Sequence, residues 1–237
     1  LNRKYAFLEG KPACTIDEAR KRAAAFLGVS PAALKTNGKK SGGALPVFTF
    51  SHGSASVDVT EIGCSVLSML DSRTPARATL TTEEAIARAA AFLKKCGYNS
   101  LAASYYTKYS GTIMINFAPR EGGVMLYPDL VKITIALDTG AVANFEAQGY
   151  ITNHKKRTLP KPKIGEAAAR TRVPSGLKLL STSLTLNPGD GERETLAYEL
   201  KCRDADGKHI LVYIDAQTGD EIRILVLIED ENGTLVM

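Results

Sequence analysis

The fold is decided by Thr15–Leu27, TIDEARKRAAAFL, because the same text returns at Thr81–Leu93 as TTEEAIARAAAFL. Nine of the thirteen positions are identical at an offset of 66 residues. A copy of that length marks a small unit that is repeated, which favours an array of binding modules over a single catalytic core. Each copy opens on T-x-x-E, Thr15 with Glu18 and Thr81 with Glu84. In such a capping box, hydroxyl and carboxylate satisfy free N–H groups at a helix start. Ile16, Ala19, Ala23, Phe26 and Leu27 follow helical spacing, as do Ala85, Ala89, Phe92 and Leu93. Small alanines let each helix approach a sheet, the phenylalanines fill its far end, and Gly28 and Gly97 stand where a stop is expected. A weaker third copy, Lys163–Arg170 (KIGEAAAR), keeps Glu166–Ala167 and Arg170 but lacks a capping hydroxyl and runs into Pro174. A short, frayed helix is expected there.

Strand patterns follow each helix. The first set is Val47–Phe50, Ser56–Thr60 and Ser65–Leu70, with a turn at Glu61–Ile62–Gly63. The second is Thr112–Phe117, a hairpin turn in Pro119–Gly123, Val131–Leu137, a turn at Asp138–Thr139–Gly140, and Ala141–Ala147. The third is Leu196–Cys202, His209–Ile214 and Glu221–Ile228, with turns at Asp206–Gly207 and Asp215–Gly219. The fold class is therefore α+β, as three tandem modules, each one helix packed on a three- or four-stranded antiparallel sheet. Their bounds are 1–75, 76–157 and 158–237, set by polar Asp71–Thr79 and by basic, proline-containing Asn153–Lys163. The run His154–Lys155–Lys156–Arg157 reads as a solvated connector, or more sharply as a contact for a protease or an anionic polymer. The Gly/Lys-rich Asn37–Gly43 reads as a mobile loop.

The net charge of +5 is uneven. The first two modules each carry 10 Lys/Arg against 6 Asp/Glu, and the third 10 against 13. The basic residues form no Arg-rich stripe, Trp is absent and aromatics are 7%, so nucleic acid is not an expected partner. No apolar run is long enough to span a bilayer. Cys14, Cys64, Cys96 and Cys202 show no close pairing, which suggests buried free thiols, with long-range disulfides or a metal as alternatives. His52, His154 and His209 fall in separate modules, so no metal is expected. There is no G-x-S-x-G, no Cys beside a plausible His, and no phosphate-cradling glycine loop. Asp204–Gly207 lacks the spacing of a calcium loop. Small sheets with short loops offer no cleft for paired carboxylates. No enzyme, catalytic residue or cofactor is expected.

Val212–Glu221, VYIDAQTGDE, resembles the terminal hairpin of the PepSY domain, and Ile135–Val142, IALDTGAV, resembles it more loosely. Ile115–Tyr150 (INFAPREGGVMLYPDLVKITIALDTGAVANFEAQGY), the following NHKKRTLPKPKI and the terminal IEDENGTLVM resemble the C-terminal region of YpeB-type spore germination proteins. The resemblance implies three PepSY units outside the cytoplasm, at the spore inner membrane or cortex. It implies a membrane link only through an N-terminal anchor segment that this sequence does not contain. It also implies mutual dependence with a cortex-lytic enzyme, the SleB-type lytic transglycosylase. Glu61–Ile62–Gly63 departs from the family's D-x-x-T-G turn.

The expectation is thus a non-enzymatic germination protein that binds, stabilises or regulates a cortex hydrolase. A peptidase-inhibitor or pro-region-like module and a binder of peptidoglycan or another wall polymer are the alternatives. The expected partner contact is Leu126, Tyr127, Pro128 and Asp129, a semi-rigid segment carrying an aromatic anchor. The competing reading makes Leu126 and Tyr127 core residues.

Overall fold

A computed structural model describes residues 5–41, 43, 45–189, 193–230 and 233–236, with side chains described as far as Leu225. Gly42 and Ala44, and Glu231, Asn232 and Met237 of the terminal IEDENGTLVM, lie outside the described residues. The protein is a mixed α+β structure, a large sheet with few helices. In chain order, α1 (Ile16–Leu27) precedes β1 (Lys35–Lys40), β2 (Val47–His52), β3 (Ala55–Thr60) and β4 (Val66–Asp71). After α2 (Thr82–Lys95) come β5 (Leu101–Tyr109), β6 (Thr112–Glu121), β7 (Val124–Leu126), β8 (Val131–Ala136) and β9 (Val142–Glu146). Last come α3 (Gln148–Asn153), α4 (Glu166–Arg170), β10 (Lys178–Pro188), β11 (Glu194–Arg203), β12 (His209–Asp215), β13 (Glu221–Asp230) and β14 (Gly233–Val236).

Both repeat helices start as their sequence requires. The Thr15 and Thr81 hydroxyls accept from the Glu18 and Glu84 amides, and each glutamate reaches back to the cap N–H at 2.8 Å. Gly28 closes α1 in the left-handed region, where a side chain would be strained. The buried faces are equivalent: Ala19 and Ala85, Ala23 and Ala89, all 0% exposed, lie against the sheet. Ile16, expected on that face, is 40% exposed. α4 is short, as expected, but its register differs from the sequence match. Counted from the cap, Ala169 rather than Ala167 takes the place of Ala19 and Ala85, because Gly165 is the capping residue.

The fourteen strands run β1-β2-β3-β4-β9-β8-β6-β7-β10-β11-β12-β13-β14, with β5 on the other edge of β6. The decisive pairing is β4 with β9, Ser68↔Glu146, Met69↔Phe145 and Leu70↔Asn144. It makes the sheets under α1 and α2 continuous and merges their cores, so Phe50, Met69, Ile133 and Phe145 belong to one cluster. Phe26 and Phe92, equivalent in the repeat, meet edge to face across this junction at 5.1 Å. A second cluster lies under α4, and a third joins β6 and β7 to β12 through Ala118, Met125, Tyr127, Leu211 and Tyr213.

The sheet turns toward its last part at the β6–β7 hairpin. Gly122 and Gly123 have φ of 54° and 86°, the two positive values a tight two-residue hairpin needs. β7 then pairs in parallel with β10, Met125 opposite Thr185. Asn37–Gly43, expected as a mobile loop, is in part strand β1: Lys35–Lys40 pairs with β2 as a lysine-bearing edge, a composition that discourages further strand addition.

Candidate functional site

Leu126–Asp129 takes in the last residue of β7 and a single 3-10 turn, Tyr127–Asp129, with Pro128 setting its first steps. Expected as a partner contact, with a core role for Leu126 and Tyr127 as the competing reading, this segment lies inside the protein. Leu126 and Asp129 are 0% exposed, and Tyr127 and Pro128 are buried. The reason is positional: the segment sits where the sheet under α2 meets the strands that follow α4.

Two polar networks radiate from it. The Tyr127 hydroxyl lies 2.8 Å from Ser104 Oγ on β5 and donates to Glu199 Oε2 on β11 at 2.7 Å. The Tyr213 hydroxyl on β12 donates to the same oxygen at 2.6 Å. Burial, then the Glu199 charge, pushes both phenols up, so they remain donors.

The second network reaches Arg157, whose side chain is only 4% exposed. Its guanidinium grips Asp129 with Nη1 to Oδ2 at 2.8 Å and Nη2 to Oδ1 at 2.7 Å. Nε and Nη2 also donate to Glu194, and Nη2 and Nη1 reach the Asn153 and Lys155 carbonyls. All five donors of the fork are engaged, a pattern lysine cannot reproduce. Burial alone would lower this group; the hydrogen bonds it donates to Glu194 and Asp129 reverse that and hold it charged. His154 Nδ1 lies 2.7 Å from Asp129 Oδ2, and its ring stacks on Tyr150 at 4.3 Å. The 154–157 run, expected as a solvated connector, is in part a clamp. Sequence reasoning missed Arg157, Glu194 and Glu199, for their partners lie far away along the chain.

The cysteine expectation is corrected as well. Cys14 and Cys64 form a disulfide, with Cα atoms 5.2 Å apart and 50 residues between them in sequence. Glu18 lies beside these sulfurs, but they are bonded to each other and its carboxylate serves the helix cap. Cys96 and Cys202 are free.

With this geometry in place, comparison with known proteins becomes informative. The family described as YpeB sporulation, PepSY1 and PepSY2 domains matches residues 1–160, two thirds of the chain. The chain belongs to the YpeB family of sporulation proteins. The match runs from before α1 through the Arg157 clamp, so it covers both repeat helices and the β4–β9 joint. The sporulation protein YpeB of Bacillus subtilis is 29% identical over 170 residues, 71% of this chain and 38% of that protein. The YpeB of Halalkalibacterium halodurans is 27% identical over 175 residues, 74% of this chain and 39% of that protein. This YpeB-family chain therefore spans well under half the length of these relatives. The solved Bacillus megaterium YpeB C-terminal domain superposes with a TM-score of 0.82 at 25% identity, covering 91% of this chain and 99% of that one. A sporulation-related role follows. No helix of the described residues is long and apolar enough to cross a membrane.

Proposed function

We propose that this chain is a non-enzymatic holding module that binds, stabilises or regulates a cortex-lytic peptidoglycan hydrolase of the SleB type outside the cytoplasm of the developing spore. The observation that carries it is that its converging ionisable groups are taken up by one another. Asp129, Glu194 and Glu199 are tied to Arg157, Tyr127 and Tyr213, which leaves a braced scaffold rather than a reactive centre. The Cys14–Cys64 crosslink fits an oxidising compartment.

The scaffold reads as three PepSY-type units with bounds near 75 and 157. In the last two, the residues just before the helix cap dock on the carbonyl two or three places ahead of the T-G turn. Thr79 and Leu80 donate to Leu137, and Lys163 and Ile164 donate to Ala216. In the first, Cys14 N–H donates to Glu61, and the disulfide reinforces the same closure. Leu126–Asp129 serves as the brace that orients the third unit rather than as the surface that meets a partner.

Co-purification with the lytic transglycosylase, followed by cortex-fragment digestion, tests the reading. The expected result is retention of the enzyme and no digestion by the chain alone. Digestion by the purified chain, or failure to retain the enzyme, would overturn it.

A further inference from the structure

α1 and α2 lie on one face of the fused sheet, and a furrow separates them, although sequence reasoning anticipated no cleft. Its central depression, about 320 Å³, is walled by the partly exposed Phe26, Phe92, Tyr98 and Tyr150 over the buried Val66 and Phe145. Arg22 and Lys95 stand at its rim, and no carboxylate lines it among the described residues. Past the Phe26–Phe92 contact it continues into a second depression of about 640 Å³, which shares those two rings. Along α1, across Arg22 and Ala25, lies a third of about 630 Å³, which carries Lys11 and Lys21 and is lined by α1, the segment before it and the β3–β4 turn rather than by α2.

The charges along the furrow are unequal in availability. Its two acids are occupied: Glu18 caps α1, and Asp71 accepts from the Ser54 hydroxyl and the Arg73 amide. Arg22, Lys21 and Lys95 make no hydrogen bond or ion pair among the described residues, whereas Arg88, the repeat equivalent of Arg22, donates to the Thr139 carbonyl at 2.8 Å. The repeat thus places the same arginine twice, tied down in one unit and open in the other. An aromatic-walled depression with open cations suits an aromatic or large apolar group beside a carboxylate. Three depressions in series, sharing their dividing residues, favour a chain over a compact molecule, which would fill only one.

We propose that the furrow between α1 and α2, with its extension along α1, binds an extended acidic peptide segment from a partner protein, laying an aromatic side chain against the partly exposed Phe26, Phe92, Tyr98 and Tyr150 with its carboxylates met by Arg22, Lys95 and Lys21. This goes beyond the hydrolase reading and does not rest on it, since any protein could supply the segment.

The test is fluorescence anisotropy of the full chain with a labelled peptide, Asp-Glu-Asp-Phe-Glu-Asp-Leu, at low salt. Binding should fall by roughly tenfold or more for the Phe-to-Ala peptide, for a Lys-for-acid peptide, and for the exposed-surface variant Arg22→Glu/Lys95→Glu. Lys178→Glu on β10 should leave it unchanged. Because the free Cys96 thiol lines the central depression, bound peptide should also slow its alkylation by iodoacetamide. The proposal is overturned if the acidic aromatic peptide does not bind, if the Arg22/Lys95 variant behaves like Lys178→Glu, or if Cys96 is not protected. N-acetylphenylalanine binding as tightly as the peptide would also overturn it, marking a small-carboxylate pocket instead. Retention of the hydrolase by the Arg22/Lys95 variant would leave both readings standing on separate surfaces.

Discussion

Replacing Arg157 by Met keeps most of the side-chain volume and removes the fork that grips Asp129 and Glu194. Asp129 has no exposed surface, so it would be left in the interior without its bidentate cation, with His154 Nδ1 the remaining side-chain partner among the described residues. Breaking a buried ion pair by deleting one partner costs about 3–5 kcal/mol, because the remaining charge is uncompensated. For a chain of this size each kcal/mol moves the melting temperature by about 2–4 °C, so Arg157→Met should melt roughly 6–20 °C lower. Proteolysis reads the same loss locally. Lys155 and Lys156 are exposed trypsin sites on the segment that Arg157 pins. If opening of that segment becomes easier by the same amount, cleavage there should speed up by roughly a hundredfold to a few thousandfold.

Two further variants separate charge from shape. Arg157→Lys retains the charge with three donors instead of five and should fall between wild type and Met. Combining Arg157→Met with Asp129→Asn removes the stranded charge and should recover part of the loss, a coupling of about 1–3 kcal/mol. If Arg157→Met melts within about 2 °C of wild type and is cut no faster, the clamp does not tie Asp129 to β11 as a brace.

Reduction of Cys14–Cys64, or Cys14→Ser/Cys64→Ser, should cost about 4 kcal/mol on the chain-entropy account of a crosslink of this span; a melting curve indifferent to reductant would contradict it. Asp138 is held well below the usual carboxylate range by the Arg73 guanidinium and then by the Ala76 N–H. A carboxyl depressed in the folded state contributes stability that is complete above its unfolded pKa of about 3.9 and fades as pH falls toward the folded value. Asp138→Asn should thus melt lower at neutral pH, and the gap should close on acidification below about pH 4; a gap constant with pH would refute the assignment. Gly140→Ala places a side chain at φ 78° and drives its Cβ into the Arg88 guanidinium, whereas Gly207→Ala at φ 87° meets open space. Both should show the left-handed backbone penalty of about 1–2 kcal/mol by thermal melting; the exposed Arg88 side chain swings aside, so Gly140→Ala adds only the loss of its bond to the Thr139 carbonyl.

What could be read from the sequence was local chemistry. The capping boxes, the alanine faces of α1 and α2, the brevity of α4 and the turns at Asp138–Gly140 and Asp215–Gly219 all rest on residues within a few positions of one another. What could not be read was pairing across distance. Leu101–Tyr109 and Lys178–Pro188 became β5 and β10 with largely part-buried or exposed faces, so neither shows the alternation that identifies a strand. The β4–β9 joint and the Cys14–Cys64 bond depend on which surfaces meet. Tyr127 and Asp129 were legible as a special segment, but their burial comes from Glu199, Arg157 and Glu194, which lie 72, 28 and 37 residues from their partners.

The reason for the fusion lies in scale. A helix over a handful of strands, in a unit of some seventy residues, buries too small a fraction of its surface to be secure alone. Pairing β4 with β9 removes two sheet edges together and places Phe145 under Phe26, so each unit completes the other's core. A joint of that kind holds the two helices at a distance set by the strands between them, and the Phe26–Phe92 contact bridges them at one point. The furrow is therefore a consequence of how the repeat pairs. Its depth cannot change without breaking the β4–β9 register, and a site built there is preorganised for whatever it receives.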